Sequence, residues 1–307
     1  ARSVGTSVIR HPVKVGKHFT PTFRQNVLDV RLQNGLTAMG VPKEKIKFVD
    51  HHHAHAAGAF FCSPFTEALA VSFGAFAPHQ DGRNVAGAVY RCKGDWIEHL
   101  EDIPMHAGGR FFAGITVALG HEFLNGDGLT MAMAGLGDAS VCRNELEKLT
   151  PQFNGDSWQR YSRWIDFIMT SKPDAFLVSK SGRKLVKLLE KHRPEDIAAA
   201  AQTLWIENIL AYFKALAQKY EAKNLALAGG IFHNLKLNHA LSTGRLAENI
   251  FIHPHPGEGS AVMGAVFATL QKQIQPIPRA AFTDTGLGAD FSDVAIENAL
   301  HRRLRHL

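Results

Sequence analysis

Between Phe23 and Ala38 apolar side chains recur at Val27, Leu28, Leu32 and Leu36, a spacing that keeps them on one side of a helix, and Val41-Pro42 closes the segment. Lys47-Phe48-Val49 is a short apolar push that reads as a strand running into Asp50-His51-His52-His53-Ala54-His55. The alanine-rich stretch from there to Phe61 has helical composition. Ala68 to Phe73 reads as a buried strand, and Val85 to Cys92 pairs with Trp96 to Ile103 across Lys93-Gly94-Asp95 as a hairpin. Gly109 to Phe123 and Leu129 to Met133 are apolar and helix-compatible, parted by the turn-forming Asn125-Gly126-Asp127-Gly128. Residues 140–190 carry no clean period.

Pro194-Glu195-Asp196 opens a long amphipathic helix that runs to about Tyr220, with proline and carboxylates in the first turn, where the helix dipole favours them. Leu225 to Ala228 then reads as a strand, Gly229-Gly230 as a tight turn and Ile231 to Leu241 as a helix. Asn249 to His253 is a second strand, Pro254 to Ser260 a loop and Ala261 to Lys272 a helix. Two successive strand-turn-helix units predict parallel strands with their loops on one rim, where α/β proteins bind ligands. Residues 273–285 read as a linker, followed by a short helix from Ser292 to Leu304.

Composition narrows the picture. With 307 residues, 45% of them hydrophobic and 20% charged, the chain can bury a full core, and its length suggests two lobes. The 34 Lys and Arg against 28 Asp and Glu give +6 spread along the chain, which suits a small anionic ligand better than nucleic acid. Cys62, Cys92 and Cys142 are odd in number and widely spaced, which argues against a disulfide framework and for a reducing, cytoplasmic compartment. No window holds eighteen apolar residues, so no membrane span is expected. The opening Ala1-Arg2-Ser3 has no apolar signal segment and no initiating Met, from which upstream sequence is expected.

Three motifs carry chemistry. His51 and His55 are four apart, so in a helix beginning there both imidazoles leave one face and can share a divalent metal, with a further ligand such as a carboxylate from elsewhere. A solvated junction at a strand end is the plain alternative. Gly229 and Gly230 let a ligand approach the backbone and aim helix N-terminal amides at an anion, and Asn234 can hydrogen-bond a ribose or a base; a simple tight turn explains the same letters. Glu258, within His253-Pro254-His255-Pro256-Gly257-Glu258-Gly259-Ser260, sits where a rim carboxylate would complete a metal shell or hold a ribose, although a glycine-rich loop capped by Ser260 also fits.

Taken in this order, the motifs resemble the carbamoyltransferases of the nodulation and antibiotic-tailoring type, relatives of the tRNA threonylcarbamoyl-adenosine transferases and of the carbamoyl-transferring hydrogenase maturation proteins. Asp50 to Phe65 (DHHHAHAAGAFFCSPF) is similar to the family's DHHLAHAASAF-SPF, Leu227 to Asn238 to its LAGGxxxNxxxN, and Pro254 to Val266 to its closing PxxGDxGxAxGAA. Gly109 to Gly120 resembles the helix before the family's M-x-L-A-x-x-G segment, here Met131 to Gly137. The resemblance runs from about residue 20 to about residue 300. It implies an α/β fold of the actin, hexokinase and heat-shock-chaperone superfamily, two RNase H-like lobes with a nucleotide in the cleft. On that scheme residues 1–67 are a partial lobe I, 68–275 are lobe II, and 276–307 lead toward an absent YrdC-like domain.

The resemblance also implies a reaction. A YrdC-like domain or partner chain makes carbamoyl adenylate from carbamoyl phosphate and ATP. The lobed part moves the carbamoyl group to a hydroxyl of a small-molecule acceptor, aided by a divalent metal, Fe²⁺ by family. His51 and His55 would hold that metal with oxygen from Asp81 or Glu258; Gly229, Gly230, Asn234 and Glu258 would hold the adenylate. His52 or His53 is a candidate base for the hydroxyl proton, since an imidazole pKa of about 6.5 suits that task near neutrality, a role the resemblance itself does not assign. The pattern departs from the family at Gly74, where an Asp usually follows the strand, at Glu258 in place of Asp, and at Leu129 in place of a Lys. Those departures keep a rival open, a non-catalytic nucleotide-binding subunit that assembles with a YrdC-like partner. A nucleic-acid binder is a third reading and rests on the sequence pI of about 9.2 and on kinship with the tRNA-modifying branch.

Overall fold

The structure, a computed structural model, describes residues 21–79, 83–123, 125–159, 180–274, 276–279, 281–286 and 288–304. Its elements follow one another as α1 (Pro21–Ala38), a 3-10 turn (Lys43–Lys45), α2 (His51–Cys62), β1 (Glu67–Pro78), β2 (Asn84–Lys93), β3 (Trp96–Pro104), α3 (Gly109–Ala118), α4 (Asp127–Ala134) and α5 (Arg143–Glu147). The small hairpin β4 (Gln152–Phe153) and β5 (Trp158–Gln159) comes next, then α6 (Lys180–Leu189), α7 (Pro194–Lys219) and β6 (Asn224–Ala228). A second 3-10 turn (Gly230–His233), α8 (Leu235–Thr243), β7 (Asn249–Ile252), α9 (Glu258–Leu270) and α10 (Asp293–Leu304) complete the elements of the described residues.

The principal sheet has the order β3-β2-β1-β6-β7. Its first three strands form an antiparallel meander, and β1, β6 and β7 run parallel, with Ser72 beside Ala228 and Leu227 beside Ile252. That is the α/β topology of an RNase H-like lobe, and it places the ends of β1, β6 and β7 on one rim, as the two strand-turn-helix units required. Alternation along β1 divides the core. Leu69, Val71 and Phe73 face α3 and α7 together with Phe111, Ile115, Leu204 and Phe213, while Ala68 and Ala70 face α2 and α9 together with Ala226 and Ala228. Because both faces are covered, the strand reads as the unbroken run ALAVSF.

The described residues differ from the sequence expectations at several places; β1 runs on to Pro78 where its end was expected at Phe73, and α3 stops at Ala118 short of Phe123. Lys47–Val49 has no strand partner among the described residues and leads into α2 as irregular chain, because two apolar residues with no strand alongside make no sheet. Asn125-Gly126-Asp127-Gly128 is not a free turn, since Asp127 already begins α4. The helix expected over 231–241 is broken at Asn234, whose extended backbone (φ −79°, ψ 104°) caps α8 with its own side chain. Finally α9 starts at Glu258, inside the stretch expected to be loop. Among the described residues no helix is long and apolar enough to cross a membrane.

Helix α2 lies directly on α9, and the contact leaves no room for side chains. A Cβ on Gly264 would sit 1.6 Å from the Ala54 carbonyl oxygen, and one on Gly58 would sit 2.2 Å from that of Ser260. The alanines of α2 follow from this: Ala56, Ala57 and Ala59 are wholly buried, flanked by Phe60 and Phe61, which fill the space below with about 2 kcal/mol of burial each. Gly264→Val is expected to lower stability by about 3 kcal/mol, read as a fall in the urea midpoint at unchanged slope. Gly35→Ala, where a Cβ meets nothing within 4 Å of helix α1, is expected to leave stability equal or higher.

Candidate active site

Asp50 fixes where α2 begins. Its Oδ1 accepts the His53 N–H at 2.9 Å, satisfying a backbone donor that the first turn would otherwise leave open. Its Oδ2 lies 2.7 Å from His79 Nδ1. Burial would raise the Asp50 pKa, but the His53 N–H and the hydrogen bond and charge of His79 outweigh it and hold the carboxyl below its ordinary value. With the start of the helix set, His51 and His55 emerge one turn apart on the same side, their Nε2 atoms 3.1 Å from each other.

That separation suits two ligands of one ion, since nitrogens about 2.0 Å from a tetrahedral metal stand about 3.3 Å apart. Glu258, the first residue of α9, brings a carboxylate oxygen within 4.8 Å of a ring nitrogen of each histidine. The hydrogen bonds of His55 also prepare it for such a role. Ser260 Oγ lies 2.7 Å from His55 Nδ1 and 2.9 and 2.8 Å from the carbonyl oxygens of Pro256 and Gly257, so when its one proton goes to either carbonyl it accepts from Nδ1–H. In the tautomer with the proton on Nδ1, Nε2 presents its lone pair to His51, the arrangement in which a second partner orients a metal-binding imidazole. Burial, followed by the neighbouring His51 and His52, pushes the His55 pKa down to about 3, so the ring is neutral at pH 7. These donors fit a divalent transition metal.

The other two histidines of the run are placed differently. His52 is buried, with Nδ1 2.9 Å from Ser72 Oγ in the middle of β1; burial and then the adjacent His51 push its pKa down to about 4. Its Nε2 makes no well-formed hydrogen bond among the described residues, and the nearby Ala77 backbone favours its protonated form. His53 stands about 200° round the helix from His51. Its ring meets the edge of Tyr90 at 5.7 Å between centroids, in a cavity shared with Gln271 and Lys272, so the structure does not bring it to the His51–His55 pair. Asp81 lies outside the described residues.

The glycine turn builds the opposite wall. Gly229 has φ +114°, and a Cβ there would lie 2.2 Å from the Phe73 carbonyl oxygen, so only glycine lets β6 turn this close to β1. A Cβ on Gly230 would meet nothing within 4 Å, because Gly230 opens on a cavity of about 380 Å³ lined also by Phe112, Asp127, Trp205, His233 and Asn234. Asn234 is 5% exposed. Its Oδ1 accepts from the Leu237 N–H and from Gln202 Nε2, both at 3.1 Å, so the residue is first a helix cap; its Nδ2 has no partner among the described residues. One carbonyl links this pocket to the histidines: Pro256 O accepts the Gly229 N–H at 2.6 Å and the Ser260 hydroxyl at 2.9 Å, and Ser260 holds His55.

Phe112, Asp127, Gln202 and Trp205 were not among the sequence candidates. Trp205 continues the apolar face of α7 and reads as core, whereas Gln202, a polar residue among four alanines and a tryptophan on that buried face, was a legible signal. Asp127 accepts the Thr116 hydroxyl at 2.7 Å, yet burial prevails and raises its pKa.

Comparison with known proteins supplies the family. The model of the carbamoyltransferase N-terminus matches residues 16–267, most of the chain, and the chain belongs to the carbamoyltransferase family. It is similar to the nodulation protein NolNO of Sinorhizobium fredii, 24% identical over 262 residues, which cover 85% of this chain and 36% of that protein. It is also similar to the nodulation protein NolO of Bradyrhizobium diazoefficiens, 26% identical over 264 residues, covering 84% of this chain and 45% of the other. The chain thus spans less than half the length of these relatives. A crystal structure of full-length HypF in its phosphate- and nucleotide-bound form matches with a TM-score of 0.41 and 14% identity, over 78% of this chain and 45% of that one.

The depressed histidines set a pH dependence. His52 and His55 protonate in the folded chain at about 4 and about 3, whereas in the unfolded chain they protonate near 6.5. The unfolded state therefore binds more protons between those values, and stability falls as the pH drops through the window. With chelator present, the urea midpoint is expected to decline steadily from about pH 6.5 to about pH 4, with a shallower decline in His55→Asn. At pH 7, adding Zn²⁺ or Fe²⁺ is expected to raise the midpoint by linkage.

Proposed function

We propose that this member of the carbamoyltransferase family carries the transfer centre of an O-carbamoyltransferase, which takes a carbamoyl group from carbamoyl adenylate and delivers it to the hydroxyl of a small-molecule alcohol. The observation that supports this most is the convergence of His51, His55 and Glu258, joined through Pro256 O and Ser260 to the glycine turn that opens on the cavity. His51, His55 and Glu258 would hold a divalent metal, Fe²⁺ on the family resemblance. When bound, it would polarise the carbamoyl carbonyl as a Lewis acid.

The protein's own groups do the rest. Gly230 lets the adenylate lie against the backbone, Trp205 and Phe112 give its base an apolar wall, and the spare amide protons of Asn234 supply a directional donor. His52, ring to ring with His51 at 5.2 Å, is the imidazole proposed to receive the acceptor's proton; its pKa of about 4 leaves it neutral at pH 7 but a weaker base than the 6.5 expected from the sequence. Carbamoyl adenylate would reach the site from a YrdC-like domain or partner chain.

A second reading, a nucleotide-binding subunit without transfer activity, is favoured by Gly74. The family places an Asp there, and here a Cβ would come no nearer than 3.7 Å to any neighbour, so the rim has the space but not the carboxylate.

The test is consumption of carbamoyl-AMP with a panel of alcohols, under anaerobic conditions with added Fe²⁺. Transfer is expected in the wild-type chain, with losses of about 100-fold or more in His55→Ala and Glu258→Gln. A metal-loaded chain that binds the adenylate and transfers to none of the alcohols would establish the second reading instead.

A further inference from the structure

A second group of potential ligands lies where β1 ends, across β2 from β3. His79 follows the last residue of β1, and His99 and Asp102 stand on β3, the edge strand of the sheet. Residues three apart on a regular strand point to opposite faces. Here they do not. The register of β2 against β3 steps from Val89–Glu101 to Tyr90–His99, so Leu100 is an extra, bulged residue. The bulge reverses the alternation and turns His99 and Asp102 to the same side, with His99 Nε2 2.8 Å from Asp102 Oδ1.

His79 Nε2 approaches the same oxygen at 3.5 Å, and one ligand atom from each of the three residues lies within 4.8 Å of the others. Each ligand is held from behind. The Asp50 carboxylate, 2% exposed, engages His79 Nδ1 at 2.7 Å and so directs its Nε2 toward the cluster. Arg83 binds the other oxygen of Asp102 at 3.0 Å and leaves Oδ1 turned inward. The His99 side chain is 40% exposed, which gives an ion a way in.

We propose that His79, His99 and Asp102 form a divalent-metal site that shares no ligand with His51, His55 and Glu258. Two imidazoles and one carboxylate with an open position suit Zn²⁺, Fe²⁺ or Co²⁺ rather than Mg²⁺ or Ca²⁺. Asp50 links this site to the first: one oxygen caps the helix that carries His51 and His55, and the other orients His79.

The experiment loads the metal-free chain with Co²⁺, measures bound metal after dialysis and records the visible absorption of the bound ion. Wild type is expected to bind two equivalents. His99→Ala and Asp102→Asn, both at positions that leave the core intact, are expected to bind one, as is His55→Ala; His55→Ala combined with His99→Ala is expected to bind none. Circular dichroism checks that each variant is folded. If His99→Ala and Asp102→Asn keep the wild-type stoichiometry and spectrum, the site is an ion-pair network and the proposal is overturned. If wild type binds a single ion that is lost with His99→Ala and kept with His55→Ala, the second site stands and the first centre fails. A chain that binds no metal at all overturns both.

Discussion

The backbone contact between α2 and α9 is the constraint on which the first centre depends. Gly58 and Gly264 bring the two helices so close that main-chain atoms of one touch main-chain atoms of the other. At that distance the first turn of α9 lies beside the first turns of α2, so Ser260 reaches His55 and Glu258 reaches the His51–His55 pair. Separating the axes by the width of one methyl group would lengthen the 2.7 Å Ser260–His55 bond beyond hydrogen-bonding range. The ligand geometry is therefore a property of helix packing, and the alanines of α2 serve the site without touching it.

The rim of the parallel strands supplies the second constraint. Ser72 and Ala228 are neighbours in the sheet, so β6 ends beside the middle of β1, which runs on to Pro78, and His52 meets Ser72 while Gly229 turns over Phe73. The carbonyl of Pro256, in the loop after β7, then accepts from both Gly229 and Ser260. The end of β6, the loop after β7 and helix α9 are joined at this point by short hydrogen bonds between groups with little freedom to move. Preorganisation of this kind is what a transfer site needs, because polar groups that are already oriented need no further ordering when a substrate arrives.

Much of this was legible in the sequence because local rules decided it. Burial on both faces made β1 an apolar run, the hairpin turn stood out at Lys93-Gly94-Asp95, and the His51–His55 spacing needed only a helix to become a pair. What the sequence concealed was non-local or side-chain driven. Lys47–Val49 has strand letters and lacks a neighbour, a fact that three residues cannot disclose. Asn234 breaks its helix because its amide oxygen competes for the backbone, the tendency that makes asparagine a cap, and here a ligand-binding reading of the residue hid the structural one. Trp205 and Asp127 meet across a pocket although 78 positions part them, and nothing in either segment points to the other. The group of His79, His99 and Asp102 depends on a bulge at Leu100, which leaves the composition of β3 unaltered while reversing which side chains share a face.

Asp50 shows why such sites are hard to assign to separate residues. Its side chain is almost wholly enclosed, and burial of a lone carboxylate would favour the neutral acid; the net shift is nevertheless downward, so the His53 N–H and His79 together outweigh the loss of solvent. An ionised Asp50 in turn favours a proton on His79 Nδ1 and leaves His79 Nε2 to face Asp102. The same charge sits at the N-terminus of α2, where it opposes the positive end of the helix dipole just before the two metal-ligand candidates begin. One carboxylate thus sets the start of the helix that aligns His51 with His55 and the tautomer that aims His79, and it can do both only because its two oxygens point in different directions from a backbone the helix cap holds still.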